Sequence, residues 1–185
     1  MPENSPFGRR SKSEVELAEI RSRTPSRTYG FVRARELERT YPGPPNIGFW
    51  LLTGQRVAKG WGHPMEKDWP YDYSRWPPRE PPDMDVLAKA NRTRSYCRCR
   101  TLEECQSVLE QGGIVSAAFE IDDGWIGSNG VIDNPRLHRP QMNHSIVLMG
   151  VDESSDTLRF THSWGPDWGE EGWGTLPFQY WSDRP

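Results

Sequence analysis

Long apolar runs are missing from this 185-residue chain. None approaches the roughly 18–20 residues that a bilayer-spanning helix requires, so no membrane partner is expected. The first residues, MPENSPFGRRSKSEVELAEI, carry charges and no apolar stretch, which does not read as a secretory signal; the expected location is cytoplasmic. A mean hydropathy of -0.83 and 26% charged residues describe a polar protein. No internal repeat is visible.

Cysteine is scarce. Cys97, Cys99 and Cys105 are the three in the sequence, and an odd number close together argues against a closed disulfide framework. They also lack the paired C-x-x-C spacing common in zinc sites. They read as packing residues, and neither a metal nor a cofactor is expected. Excess positive charge is absent as well. The formal net charge is -3, which argues against a general nucleic-acid binder. Arg and Lys dominate before Thr40, and Asp and Glu after Arg100. A basic arm before an acidic body reads as a solvated tail attracted to its own domain.

What the chain has in quantity is aromatic bulk. Nine tryptophans supply large apolar side chains for a core. A polar arm over 1–12 leads to a short helix over Ser13–Arg23, with Glu16 placed for a capping box and a thin apolar face. TPSRTYGFVRARELERTY predicts a second helix with Phe31, Val32, Leu37 and Tyr41 inward, and PGPPN breaks the chain. A third helix is predicted over Ile47–Lys59, burying Phe49, Trp50, Leu52, Val57 and Ala58. Trp69–Pro82 contains five prolines and reads as an extended crossing. From Arg94 the pattern turns to strands: RSYCRC, then a helix over Leu102–Gln111, then IVSAAFEI, NHSIVLMGVDE, DTLRFTHSW and GWGTLPFQYW. Helices first and strands second predict an α+β fold. The expected parts are an arm with its helix (1–23), a reduced helical lobe with the crossing (24–82) and a strand lobe (83–185).

Two words in the strand region are specific. One is Asn143-His144-Ser145-Ile146-Val147-Leu148-Met149-Gly150-Val151; the other is His162-Ser163-Trp164-Gly165-Pro166-Asp167-Trp168-Gly169-Glu170-Glu171-Gly172-Trp173. In this order they resemble the N-H-[AS]-x-x-x-x-G-[YV] and N-S-W-G-x-x-W-G-x-x-G-[YW] strands of papain-like cysteine peptidases. TPSRTYGFVRARELE and GFWLLTGQRVAKGWGHPMEKDWPYD are similar to segments of bacterial members, so the resemblance runs from about Thr24 to Trp181. It implies a two-lobed fold with a bent, barrel-like antiparallel sheet, and His144 as the family's catalytic histidine. Trp164, Trp168 and Trp173 would pack over the site, and glycines 165, 169 and 172 would serve tight turns.

Two departures from the family pattern bear on activity. The helix bearing the family's nucleophile is expected before Thr24, where nothing resembles it, and no Cys precedes Cys97. The Asn that orients the family's histidine is here His162. A thiolate attacks the peptide carbonyl in such enzymes, and the third residue fixes the imidazole tautomer. His144 alone moves a proton but forms no acyl-enzyme. His162 can donate to it or accept from it, and two adjacent imidazoles resist joint protonation.

The leading expectation is a degenerate papain-like homologue without its own nucleophile, acting as a binding or regulatory module. An extended peptide or protein segment would lie in the inter-lobe cleft, contacted by Asn143, Trp50, Trp164 and Trp168. Half of a split or N-terminally shortened peptidase is one alternative. A non-peptidase enzyme using His144 and His162 as general acid and base is another. Without the central helix, the apolar faces around Phe31, Leu37, Trp50 and Val57 are expected to be covered by a second chain or by self-association.

Overall fold

The computed structural model describes residues 23–72, 74–132 and 142–182. The polar arm, and all but the last residue of the helix expected over Ser13–Arg23, lie outside them. Two compact units divide between Tyr96 and Cys97.

In the first unit, α1 (Arg27–Leu37) begins where Ser26 Oγ accepts from the Tyr29 N–H. The same hydroxyl donates to the Trp69 carbonyl at 2.7 Å. The buried Glu66 carboxylate accepts from the backbone N–H groups of Arg27 and Tyr71, both at 3.0 Å, and from the Arg27 guanidinium at 2.7 Å. A carboxylate at the first turn satisfies otherwise orphaned donors and complements the helix dipole, and these bonds hold Glu66 below its usual range against the opposing effect of burial. Tyr29, Val32, Ala34, Val57, Trp69, Met84 and Ala88 form this unit's core. Met84 and Ala88 belong to α3 (Met84–Ala88), so the first unit continues past the proline-rich crossing, beyond the boundary at 82 drawn from composition.

Arg35 is fully buried. Its guanidinium donates to the carbonyls of Thr40 and Pro44 at 2.7 and 2.8 Å and lies against Phe31 and Trp76. It thereby ties the turn after α1 to the crossing. Helix α2 (Leu51–Gly60) buries Thr53 and Val57 at i and i+4. It starts four residues later than the predicted Ile47, because Trp50 is extended and its N–H donates to the Glu38 carboxylate, not to a helical turn. The four residues expected on one uncovered face are divided. Val57 is in the core and Phe31 packs against Phe49 and Trp76, whereas Leu37 is 45% and Trp50 77% exposed.

In the second unit, Thr101 caps α4 (Leu102–Glu110), which buries Cys105 and Leu109. Four strands, β1 (Val115–Ile121), β2 (Met142–Asp152), β3 (Thr157–Thr161) and β4 (Trp173–Pro177), pair in that order and always antiparallel. Two short helices, α5 (Asp123–Gly127) and α6 (Gln179–Ser182), flank them. Phe119, Ile121, Trp125, Ile146, Leu148, Leu158, Phe160, Leu176 and Tyr180 are buried with Cys105 and Leu109. The predicted strand at RSYCRC does not form. Its alternation has no described partner strand to satisfy the backbone, and the segment carries no regular structure and is largely exposed. The fold is α+β.

Candidate functional site

β2 places His144 on the inner face, with Ile146 and Leu148 following at period two, while Asn143 and Ser145 are exposed on the other. β3 pairs Thr161 with Val147. Continuing that register sets His162 beside Ile146, so His162 and His144 lie diagonally on one face. His144 Nε2 and His162 Nδ1 are 2.9 Å apart, a hydrogen bond between the two rings. The Nδ1 of His144 has no hydrogen-bond partner among the described residues.

The loop between β3 and β4 folds aromatics over this pair. Trp164 stacks on His144 with ring centroids 4.8 Å apart and 30° between planes. Trp164 and Trp168 stand edge-to-face to His162 at 4.5 and 4.2 Å. Gly165, Gly169 and Gly172 have positive φ, and a Cβ on Gly169 would meet the Trp173 carbonyl oxygen at 2.3 Å, so the loop turns tightly enough to seat both indoles. Behind them, the Trp125 carbonyl accepts from Trp168 Nε1–H at 3.2 Å and Trp125 donates its own indole N–H to Tyr180 at 2.8 Å. Phe160 closes the back of His162 at 5.8 Å.

Burial lowers the pKa of both histidines. For His162 burial is the larger cause and the neighbouring His144 charge the second, and together they bring it to about 4. Among the described residues, no carboxylate hydrogen-bonds to either ring to oppose this. The pair is therefore neutral at neutral pH, an imidazole dyad that accepts or relays a proton. None of the three thiols hydrogen-bonds to it. Cys105 is in the core, Cys99 packs against that core and Cys97 is exposed. Among the described residues no group of three or more His, Cys, Asp or Glu side chains is placed to hold a metal ion.

The residues matched by the model of the papain family cysteine proteases are 55–179. The chain belongs to the papain family. An uncharacterized peptidase C1-like protein of Acanthamoeba polyphaga mimivirus is 22% identical to it over 174 residues, which is 86% of this chain and 55% of that protein. Xylellain, a cysteine protease from Xylella fastidiosa, superposes with a TM-score of 0.76 at 23% identity, covering 86% of this chain and 66% of xylellain. Digestive procathepsin L 3 of the Tenebrio molitor larval midgut does so at 0.61 and 19% identity, over 88% of this chain and 52% of its own. This papain-family chain thus spans between half and two thirds of the length of these relatives.

Of the residues singled out from the sequence, His144, His162, Trp164 and Trp168 come together, and Asn143 lies next to them on the opposite face of β2. Trp50 belongs to the first unit, at the exposed start of α2. Sequence reasoning did not single out Trp125 and Phe160, which hold the aromatic layer from behind. Phe160 was detectable in principle, two residues before His162 on the same strand face. Trp125 lies in no motif, and its role comes from hydrogen bonds reaching 43 and 55 residues along the chain.

Among the described residues, no helix is long and apolar enough to cross a membrane.

Proposed function

We propose that this chain is a peptide- or protein-binding member of the papain family that does not use its own cysteines for hydrolysis. The observation that carries this reading is the placement of the thiols. An attacking sulfur must be a thiolate within hydrogen-bond reach of the histidine. Cys105 is instead fully buried with its pKa pushed up to about 11, and Cys99 is raised as well, burial being the larger cause for each. A neutral imidazole dyad beside two indoles offers apolar contact and a hydrogen bond to an extended segment, without a nucleophile of its own. The test is treatment of the full chain with a peptidyl epoxide, alongside titration with blocked extended hexapeptides. The expected result is no adduct on Cys97, Cys99 or Cys105, together with saturable shifts of the His144 and His162 ring protons. An adduct on any of these cysteines that disappears in His144→Ala would overturn the reading, as would ring protons that no peptide moves.

A second reading is favoured by the relatives' length. The unmatched third to half of those proteins leaves room for a nucleophile supplied by another polypeptide, with this chain contributing the histidine half of a composite peptidase. In that case the epoxide labels a cysteine of a co-assembled chain, and His144→Ala abolishes the labelling.

A further inference from the structure

Positions 40–55 carry no Asp, Glu, Lys or Arg, in a chain that is 26% charged. They join α1 to α2 and include the first turn of α2. Their large apolar side chains are not drawn into the core. Ile47, Phe49, Trp50 and Leu52, with Leu37 at the end of α1, are between 36% and 77% exposed. Depletion of charge together with exposed aromatic bulk is the composition of an interface centre, not of a solvated loop.

The surrounding bonds hold this surface in shape. The Trp50 N–H donates to the Glu38 carboxylate at 2.9 Å, which fixes the start of α2 beside the end of α1, next to Leu37. The Trp50 carbonyl accepts from the N–H groups of Thr53 and Gly54 at 2.8 and 3.2 Å. Phe49 folds back onto α2, where a Cβ on Gly54 would meet its ring at 2.8 Å, and Phe31 of α1 stands edge-to-face to it at 5.9 Å. The main chain of Trp50 is thus pinned while its indole is the most exposed of the five side chains. An aromatic presented from an ordered backbone loses little freedom on association, and Trp is among the residues enriched where binding energy concentrates.

We propose that this patch is the contact between two copies of the chain, paired about a two-fold axis with Trp50 at its centre. Area and charge both favour a second copy. Taking about 150–250 Å² for a large side chain fully exposed, the five leave about 400–600 Å² of apolar surface on each copy. That is at the upper end of what a monomer leaves uncovered. Pairing removes about twice as much, near the roughly 1,000 Å² that a specific interface needs, before any rim is counted. The rim carries both signs, with Glu38 and Arg39 at the end of α1 and Arg56 one turn after Leu52. A two-fold arrangement can set acid against base around the apolar centre, whereas a strongly acidic or strongly basic partner would meet no uniform opposite. None of these residues belongs to the His144–His162 site, so the pairing stands apart from the proposed binding function.

The test is sedimentation velocity of the full chain across the micromolar range, combined with hydroxyl-radical footprinting of Trp50. A reversible monomer–dimer equilibrium is expected, with oxidation of the Trp50 indole falling several-fold as the dimer forms. Trp50→Asp is expected to weaken pairing by at least about thirtyfold and Leu52→Asp by about tenfold. Both side chains are exposed, so both variants should keep the wild-type urea midpoint. Ile114→Asp, at an equally exposed apolar position of the second unit, should pair as the wild type does. A monomer at the highest concentration would overturn the proposal, as would a dimer that survives Trp50→Asp or is broken equally by Ile114→Asp. A Trp50 protected at every concentration, and released when residues 1–22 are removed, would assign the patch to the chain's own N-terminal arm and overturn it too. Should a variant lose its fold, the concentration dependence of Trp50 oxidation in the wild type still decides.

Discussion

His162 is a residue that folding makes harder to protonate. Its pKa falls from 6.5 to about 4, by burial first and by the neighbouring His144 second. Between those two values the unfolded chain binds more protons than the folded one, so the free energy of unfolding rises with pH across this window. The contribution is complete above 6.5 and lost as pH falls through the folded value near 4. His144 and His63, both lowered by burial, act in the same direction. The carboxylates of Glu66 and Asp85, held low by their partners, add an acid limb at lower pH. His162→Asn is therefore expected to flatten, without abolishing, the decline of the urea midpoint between pH 6.5 and 4. An unchanged slope would show that His162 titrates as freely folded as unfolded. This pair was legible in the sequence because two spaced words fix both histidines on adjacent strands. The aromatic enclosure of the pair was not, since that depends on rings contributed by the loop after β3 and on Trp125, which no local pattern connects to it.

Elements followed the sequence where local signals and long-range pairing agree. α4 is an example. Thr101 Oγ1 accepts from the Glu104 N–H at 3.2 Å, Glu104 reaches back to the Arg100 N–H at 2.6 Å, and Cys105 and Leu109 point into the core at i and i+4. Thr101→Ala leaves one N–H without its cap and is expected to cost about 1 kcal/mol in urea unfolding. Thr101→Ser should recover most of that loss, and a null effect of Thr101→Ala would mean that water replaces the hydroxyl fully. RSYCRC failed as a strand for the complementary reason. Alternation marks a backbone able to pair, and pairing requires a free edge at the right place in space, which period two does not encode. The late start of α2 has a similar origin. Ile47–Trp50 is apolar enough for a helix, but Glu38, from the end of α1, captures the Trp50 N–H. The short α5 has no counterpart among the expected elements and α6 falls where the sequence predicts the end of a strand, because each is four or five residues long and is held by Trp125 and Tyr180 packing on the sheet, not by its own periodicity.

At the scale of the whole molecule, the three cysteines report on what the chain can do as well as on how it opens. Family membership sets an expectation of an activated thiol, and an activated thiol has a lowered pKa and an accessible sulfur. The cores arrange the reverse. Cys105 lies among the second unit's core residues with a pKa of about 11, so at pH 8 about a thousandth of it is thiolate even before access is considered. Cys99 is raised by burial, then by Cys97 and Glu104, and Cys97 is exposed on a segment without regular structure. With an aromatic disulfide reagent at pH 8, Cys97 is expected to react at about the rate of an unstructured thiol. Cys99 should react more slowly, and Cys105 only as fast as the second unit's core opens. Urea below the transition should leave Cys105 protected while hardly changing Cys97. Leu158→Ala, which removes a fully buried side chain from that core, should destabilise the unit by about 2–5 kcal/mol and speed Cys105 in proportion. A thiol that reacts faster than free cysteine, and slows when His144 is replaced by Ala, would overturn the proposal that this chain does not use its own cysteines.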